Sequence, residues 1–178
     1  VLCPSTDMYE GAQDWLANPR SFLDGIIAKR DDMPYQGGNK TGMFKIKRLK
    51  TADCVIGGFR YGSGSKKVGS LLLGLYDENG DLHHVGFSSG FTSLKEKDIT
   101  SKLEALKTDQ SFTANIPGGP SRWSTERSAE WVPVKPELVV EVRFDHVSDG
   151  RFRHGTKALR WRPDKDPKKC TLEQMEQL

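Results

Sequence analysis

From Thr51 onward the chain sets three apolar, strand-like runs between turns and then changes its pattern, an order that few folds accept. The runs are Asp53 to Tyr61, Val68 to Tyr76 and Leu82 to Ser89, separated by Gly62-Ser63-Gly64-Ser65 and Glu78-Asn79-Gly80-Asp81. Gly and Asn there supply the backbone angles of tight turns, so the spacing predicts a three-stranded meander. Leu94, Ile99, Leu103 and Leu106 then form an approximate helical stripe, which predicts a helix over 93–106 with Thr92 or Ser93 as N-cap and Glu96 in its first turn. Beyond a loop rich in Gly, Pro and Ser, from Thr108 to Glu130, two more strands are expected over 138–146 and 151–162.

Three strands, a helix and two strands is the order of an OB-fold, a small five-stranded Greek-key barrel that often binds nucleic acid. Leu138 to Phe144 alternates as a half-buried barrel wall does, with Val140, Val142 and Phe144 inward. A different five-stranded barrel is the competing topology. Phe59, Phe87 and Trp161 also alternate as core residues would, which speaks against an open stacking groove for single strands.

The first fifty residues follow another plan. A helix from Met8 to Ala17 is ended by Asn18-Pro19, and strands at 24–30 and 43–49 flank the polar, Gly-rich stretch Asp31 to Gly42, a long hairpin loop. Two strands and a helix are too few for an independent domain. Residues 1–50 therefore read as the end of a domain whose bulk lies upstream, and 51–178 as the barrel, giving a chain that is mainly β with some α. The chain opens on Val1 and is expected to be part of a longer protein. Strand edges exposed by such a truncation would invite a swapped homo-dimer.

With 35% hydrophobic and 29% charged residues the composition is that of a soluble protein, and no apolar run approaches the ~20 residues of a membrane span. No signal-peptide pattern opens it. Cys3, Cys54 and Cys170 are odd in number and lack zinc-ligand spacing, so a reducing cytoplasm is the expected location. His83-His84 lie in one strand, one facing in and the other out, and with His146 and His154 they are assigned structural or surface roles.

The net charge of +3 says little, but its distribution says more: from Arg151 to Lys169 eight Lys or Arg face only Asp164 and Asp166. Two further lysine-bearing strands stand near the start. In Phe44-Lys45-Ile46-Lys47 the period of two places Lys45 and Lys47 on one face, where two ammonium groups make an anion site. Edge-strand protection and a solvated basic tail are the bland alternatives. Three separate cationic groups favour phosphate chemistry.

These residues also carry a family resemblance. Asp24-Gly25-Ile26-Ile27-Ala28-Lys29 resembles motif IV of the ATP-dependent DNA ligases, Lys45-Ile46-Lys47 their motif V, and Arg160-Trp161-Arg162-Pro163-Asp164-Lys165 their motif VI. Thr51 to Phe59 resembles the hinge and first barrel strand of the small bacterial repair enzymes, and Trp131-Val132-Pro133 through Val142 their approach to the fourth strand. Such a resemblance implies nick sealing in duplex DNA with ATP and Mg²⁺, through enzyme–AMP and DNA–adenylate intermediates.

It also implies residue roles. Lys45 and Lys47 would hold the α phosphate, and Lys29 would touch the nucleotide or pair with a neighbouring acid. Asp24 would be the metal-associated carboxylate, although the family usually has Glu there and a bridging water is then as acceptable as direct contact. Arg162, Asp164 and Lys165, with Arg160, would orient the departing pyrophosphate, which requires the barrel to swing about a hinge near Lys50 to Asp53. Asp53 would pair with a cation in one of the two states, or simply begin a strand. Arg60, Lys66 and Lys67, with Arg122 as a further candidate, would touch the DNA backbone. One element is missing: no Lys-x-Asp-Gly run, the family's nucleophile motif, occurs in the sequence. A non-catalytic OB module and an RNA-capping guanylyltransferase are the alternatives.

Overall fold

The computed structural model describes residues 3–17, 23, 25–94, 98–118 and 130–176. Asp24, Glu96 and Arg122, singled out above, lie outside the described residues. The chain divides into two compact units, Val1–Leu49 and Lys50–Leu178.

In the first unit a helix, α1 (Tyr9–Ala17), precedes two strands, β1 (Gly25–Lys29) and β2 (Met43–Lys47). The strands pair antiparallel, with Gly25 opposite Lys47, Ile27 opposite Lys45 and Lys29 opposite Met43. Arg30 N–H donates to the Gly42 carbonyl and closes the long loop between them. Large apolar side chains stay open to solvent on this unit, among them Ile27, Phe44 and Ile46. Two strands cannot bury both of their faces by themselves.

The second unit is a closed barrel. Its strands are β3 (Lys50–Tyr61), β4 (Val68–Tyr76), β5 (Leu82–Gly90), a short β6 (Val132–Pro133), β7 (Val139–Phe144) and, after a small hairpin of β8 (Val147–Ser148) and β9 (Arg151–Phe152), β10 (Thr156–Trp161). β3 pairs with β4, β4 with β5, β5 with β10, β10 with β7 and β7 again with β3, so the ring of five closes without an edge. Only the β5–β10 pairing is parallel within that ring. This is the OB topology. Phe59, Leu71, Leu73, Val140, Val142, Phe144 and Ala158 are all buried, as the alternation in β7 predicts.

The outer face of β3 and β4 is also covered, which explains a pair of glycines. A Cβ on Gly57 would meet the Phe112 ring at 2.5 to 2.8 Å, and one on Gly58 would meet the Trp131 ring at 2.7 Å. Only glycine lets the aromatic rings lie this close to the strand. The covering segment is stitched down by backbone bonds, Thr113 and Ala114 N–H to Leu82 O and His84 N–H to Ala114 O.

Three expectations need correction. The helix over 93–106 is instead a 3₁₀ turn (Thr92–Leu94) and a separate short helix, α2 (Ile99–Glu104). Asp98 is the reason: its side chain accepts from Ser101 N–H and starts a new helix there. The strand over 151–162 is two strands, interrupted by a bend at Arg153 and His154, while Asp149 and Gly150, both at positive φ, turn β9 back onto β8. Phe87 is not core: it is 42% exposed, with its ring beside Gly155. Trp161 is half-buried, with the Lys102 ammonium 4.4 Å above its ring. No helix among the described residues is long and apolar enough to cross a membrane.

Candidate functional site

Because partners across an antiparallel pair point the same way, the β1–β2 register puts Lys29, Lys45 and Lys47 on one face. All three are exposed. A cleft of about 940 Å³ opens between β1 and the segment ahead of it, and Lys29 lines it. Lys45 and Lys47 do not line that cleft, so the lysines share a face but not a cavity.

In the barrel, the run from Arg160 to Lys165 leaves the end of β10 and is held by acids. Arg162 Nη1 donates to both carboxylate oxygens of Asp53, at 2.9 and 3.0 Å, while its Nε and Nη2 reach Asp164. Lys165 Nζ lies 3.5 Å from Asp53, and Arg160 pairs with Glu141. Arg162 and Asp53 are largely enclosed, their side chains 19% and 12% exposed. Hydrogen bonding to Asp164, then the charge of Asp53, raises the Arg162 pKa further. The same bond holds the Asp164 carboxyl down at about 2. Motif VI thus forms one charged knot, closed by a carboxylate from β3.

Sequence reasoning left Asp53 between pairing with a cation and beginning a strand. It does the first while lying inside β3, opposite Glu141. A contact that the sequence did not suggest adjoins it: the Gln174 amide accepts from Asp53 N–H at 2.9 Å and donates to Asp53 O at 3.0 Å. The chain end carrying Gln174 is tied down by Tyr76 N–H to Cys170 O and Leu172 N–H to Tyr76 O before the last helical turn, α3 (Glu173–Glu176). Cys54 and Cys170 are buried here, and burial pushes the Cys170 thiol up to about 11. Both act as core residues.

Lys66 and Lys67 are exposed in the turn between β3 and β4, which Gly64 allows with φ 62° and the Gly62 N–H to Lys67 O bond closes. Arg60, half-buried on β3, lines a cleft of about 470 Å³ with Gly62 to Gly64 of the same turn, Glu130 and Trp131. Burial, and then the charge of Arg151, draws its pKa below the usual value.

Comparison with known proteins gives the family of this chain. Residues 64–165 match the family described as the ATP dependent DNA ligase C terminal region. The chain is 40% identical over 189 residues to DNA ligase C of Mycobacterium tuberculosis, covering 98% of this chain and 52% of that protein. It is 40% identical over 191 residues to DNA ligase C2 of Mycolicibacterium smegmatis, covering 98% and 54%. Among solved structures, the ligase domain of M. tuberculosis LigD matches with a TM-score of 0.57 and 36% identity, over 83% of this chain and 47% of that one. The chain spans about half the length of the curated relatives it matches. By sequence and by fold, it belongs to the ATP-dependent DNA ligase family, within the C-terminal region of those enzymes.

Proposed function

We propose that this chain is the C-terminal part of an enzyme that uses ATP to seal nicks in duplex DNA, with residues 1–50 ending its nucleotidyltransferase domain and 51–178 forming its OB domain. In the first step a lysine amine attacks the α phosphorus of ATP, a P–N bond forms and pyrophosphate departs. In the second, an oxygen of the 5′ phosphate at the nick attacks that phosphorus and frees the lysine. In the third, the 3′ hydroxyl attacks the 5′ phosphorus and AMP leaves. Charge collects on phosphoryl oxygens in each step, and fixed cations beside them stabilise it.

The observation that carries this reading is the common face of Lys29, Lys45 and Lys47. Lys45 and Lys47 are assigned to the α phosphate and Lys29 to the nucleotide. A solved structure described as mycobacterial DNA ligase D complexed with ATP and MES, 32% identical with a TM-score of 0.52, supports a nucleotide in this role. Arg162, Asp164 and Lys165, with Arg160 beside them, orient the pyrophosphate. That role requires Asp53 to release Arg162 during the first step. Arg60, Lys66 and Lys67 contact the DNA backbone, which suits an enzyme indifferent to sequence.

Asp24 is the assigned magnesium-associated carboxylate, although it lies outside the described residues. Among those described, no group of three or more His, Cys, Asp or Glu side chains is placed to hold a metal ion.

The nucleophilic lysine must come from outside these 178 residues, which contain no Lys-x-Asp-Gly run. Incubated with radiolabelled ATP, the chain alone is expected to acquire no covalent AMP. Joined to an upstream segment that bears such a run, it should be labelled, and Lys45→Ala with Lys47→Ala should remove the label. Label on the chain alone, or undiminished label in the double variant, would overturn the reading.

A further inference from the structure

β3 pairs with β4 from Val55, opposite Gly74, as far as Tyr61, opposite Val68. Ahead of Val55 the two strands part, and the end of the chain enters the gap. Tyr76 N–H donates to Cys170 O and Leu172 N–H to Tyr76 O, which makes a parallel bridge between Thr171 and the last residue of β4. From there Gln174 turns its side-chain amide onto β3, accepting from Asp53 N–H at 2.9 Å and donating to Asp53 O at 3.0 Å. Cys170 and Met175 anchor the segment by burial. The family match ends at residue 165, so this strap lies beyond motif VI and beyond the matched region.

A planar amide that bonds both the N–H and the C=O of one residue closes a ring through that residue's backbone, as a paired strand would. The φ and ψ of Asp53 are then fixed, and with them the direction of its Cα–Cβ bond. That direction matters here because the carboxylate, 12% exposed, takes Arg162 Nη1 on both oxygens and has Lys165 Nζ at 3.5 Å. A grip shared among three polar atoms in an enclosed place is lost by a small turn of the strand. Gln174 therefore reaches motif VI through Asp53.

We propose that Gln174 is a positioning residue for the ligation reaction: by fixing the backbone of Asp53 it holds that carboxylate on Arg162 and Lys165, and so sets how readily motif VI is released to the pyrophosphate of the first step. This rests on the nick-sealing reading given above and adds to it a control carried by the strap that follows motif VI. The state in which Asp53 holds Arg162 belongs to the later steps, and release is needed only in the first. A purely structural Gln174 would stabilise the barrel and leave every step alike. A positioning Gln174 favours the held state and therefore biases the first step against the later ones.

Two readouts test it, with Gly57→Ala, which strains the wall beside Phe112 instead, as the control for lost stability. In the 178-residue chain, exchange of the Arg162 Nε–H with solvent is followed by nitrogen-15 NMR. Gln174→Leu should quicken that exchange by roughly threefold to tenfold, and Gly57→Ala should leave it unchanged. Gln174→Met, close to glutamine in length and without its polar atoms, should do the same and serves where the leucine variant is unfolded. In the enzyme containing this chain, single-turnover rates of lysine adenylation and of sealing a pre-adenylated nick are measured separately. Gln174→Leu should keep or quicken adenylation and slow sealing by roughly threefold. Added to Asp53→Asn, it should change neither rate further. Unchanged Arg162 exchange in the Gln174 variants, equal falls in the two rates, or losses that add to those of Asp53→Asn overturn the positioning role. A parent enzyme that neither adenylates nor seals overturns the nick-sealing reading instead, and Arg162 exchange, which needs no activity, tells the two failures apart.

Discussion

Arg162 and Asp53 stand 109 residues apart in sequence, yet the arginine's Nη1 bonds both oxygens of the carboxylate, at 2.9 and 3.0 Å. The group proposed above for the departing pyrophosphate is thus occupied by an acid on β3, and the two uses exclude each other. Asp53→Asn should weaken the hold on Arg162 without disturbing the strand. In the enzyme containing this chain, single-turnover lysine adenylation should be kept or quickened, while the later sealing of a nick should slow by roughly tenfold. Measuring the two steps separately decides the matter. An equal fall in both would mean that Asp53 does not distinguish between the two states.

Gln174 completes two backbone groups of Asp53, one donor and one acceptor, and so takes the place of a neighbouring strand. Gln174→Leu removes both bonds and leaves partly buried polar groups unsatisfied. A loss of about 1–3 kcal/mol is expected in urea unfolding of the chain. A midpoint equal to that of the parent chain would show that water replaces the amide freely.

Much of the barrel could be read in advance because its signals are local. The turns at 62–65 and 78–81 sit where their glycines and asparagine stand, and β4 runs from Val68 to Tyr76 as the apolar run between those turns implies. Failures came where a short-range polar bond outweighed the apolar pattern. Asp98 capping Ser101 broke the expected long helix. The expected last strand broke for another reason, a bend at Arg153 and His154. Of the candidate site, the shared face of Lys45 and Lys47 follows from a period of two. The partners of Arg162, Asp53 and Arg151 do not, since they depend on strand register across 67 to 121 residues. Phe87 was misplaced because alternation says that neighbours differ in side, not which side is covered.

The Gly57 position offers a test of the covered outer wall. A methyl group there would meet three atoms of the Phe112 ring below 3.0 Å, and that ring is itself fixed against His84 and Trp131. Gly57→Ala should cost about 1–3 kcal/mol through overpacking, despite alanine's better fit to a strand. Pairing it with Phe112→Leu should recover part of the loss. If Gly57→Ala unfolds at the parent's urea midpoint, the ring does not lie where the structure has it.

Acid should destabilise the chain earlier than its carboxylates alone would, and the sign follows from His84. In the folded chain the Arg151 guanidinium donates to Nδ1 of this buried imidazole at 3.0 Å. Burial, then Arg151 and Arg60, hold it at about 3, whereas in the unfolded chain it titrates near its ordinary value of about 6.5. Above that value both states are neutral and nothing is lost. Between the two values the unfolded state binds a proton that the folded state refuses, so stability falls as pH falls. The slope approaches on the order of 1 kcal/mol per pH unit and levels off only below the folded value. Urea midpoints at pH 7, 6, 5 and 4 should therefore decline in the parent chain, and decline less in His84→Asn, which has no proton to take up. Because the carboxylates of both proteins titrate alike, the difference between the two curves isolates this one group. Parallel curves would mean that the ring is reached by water or already protonated, and Arg151 could not then be donating to Nδ1.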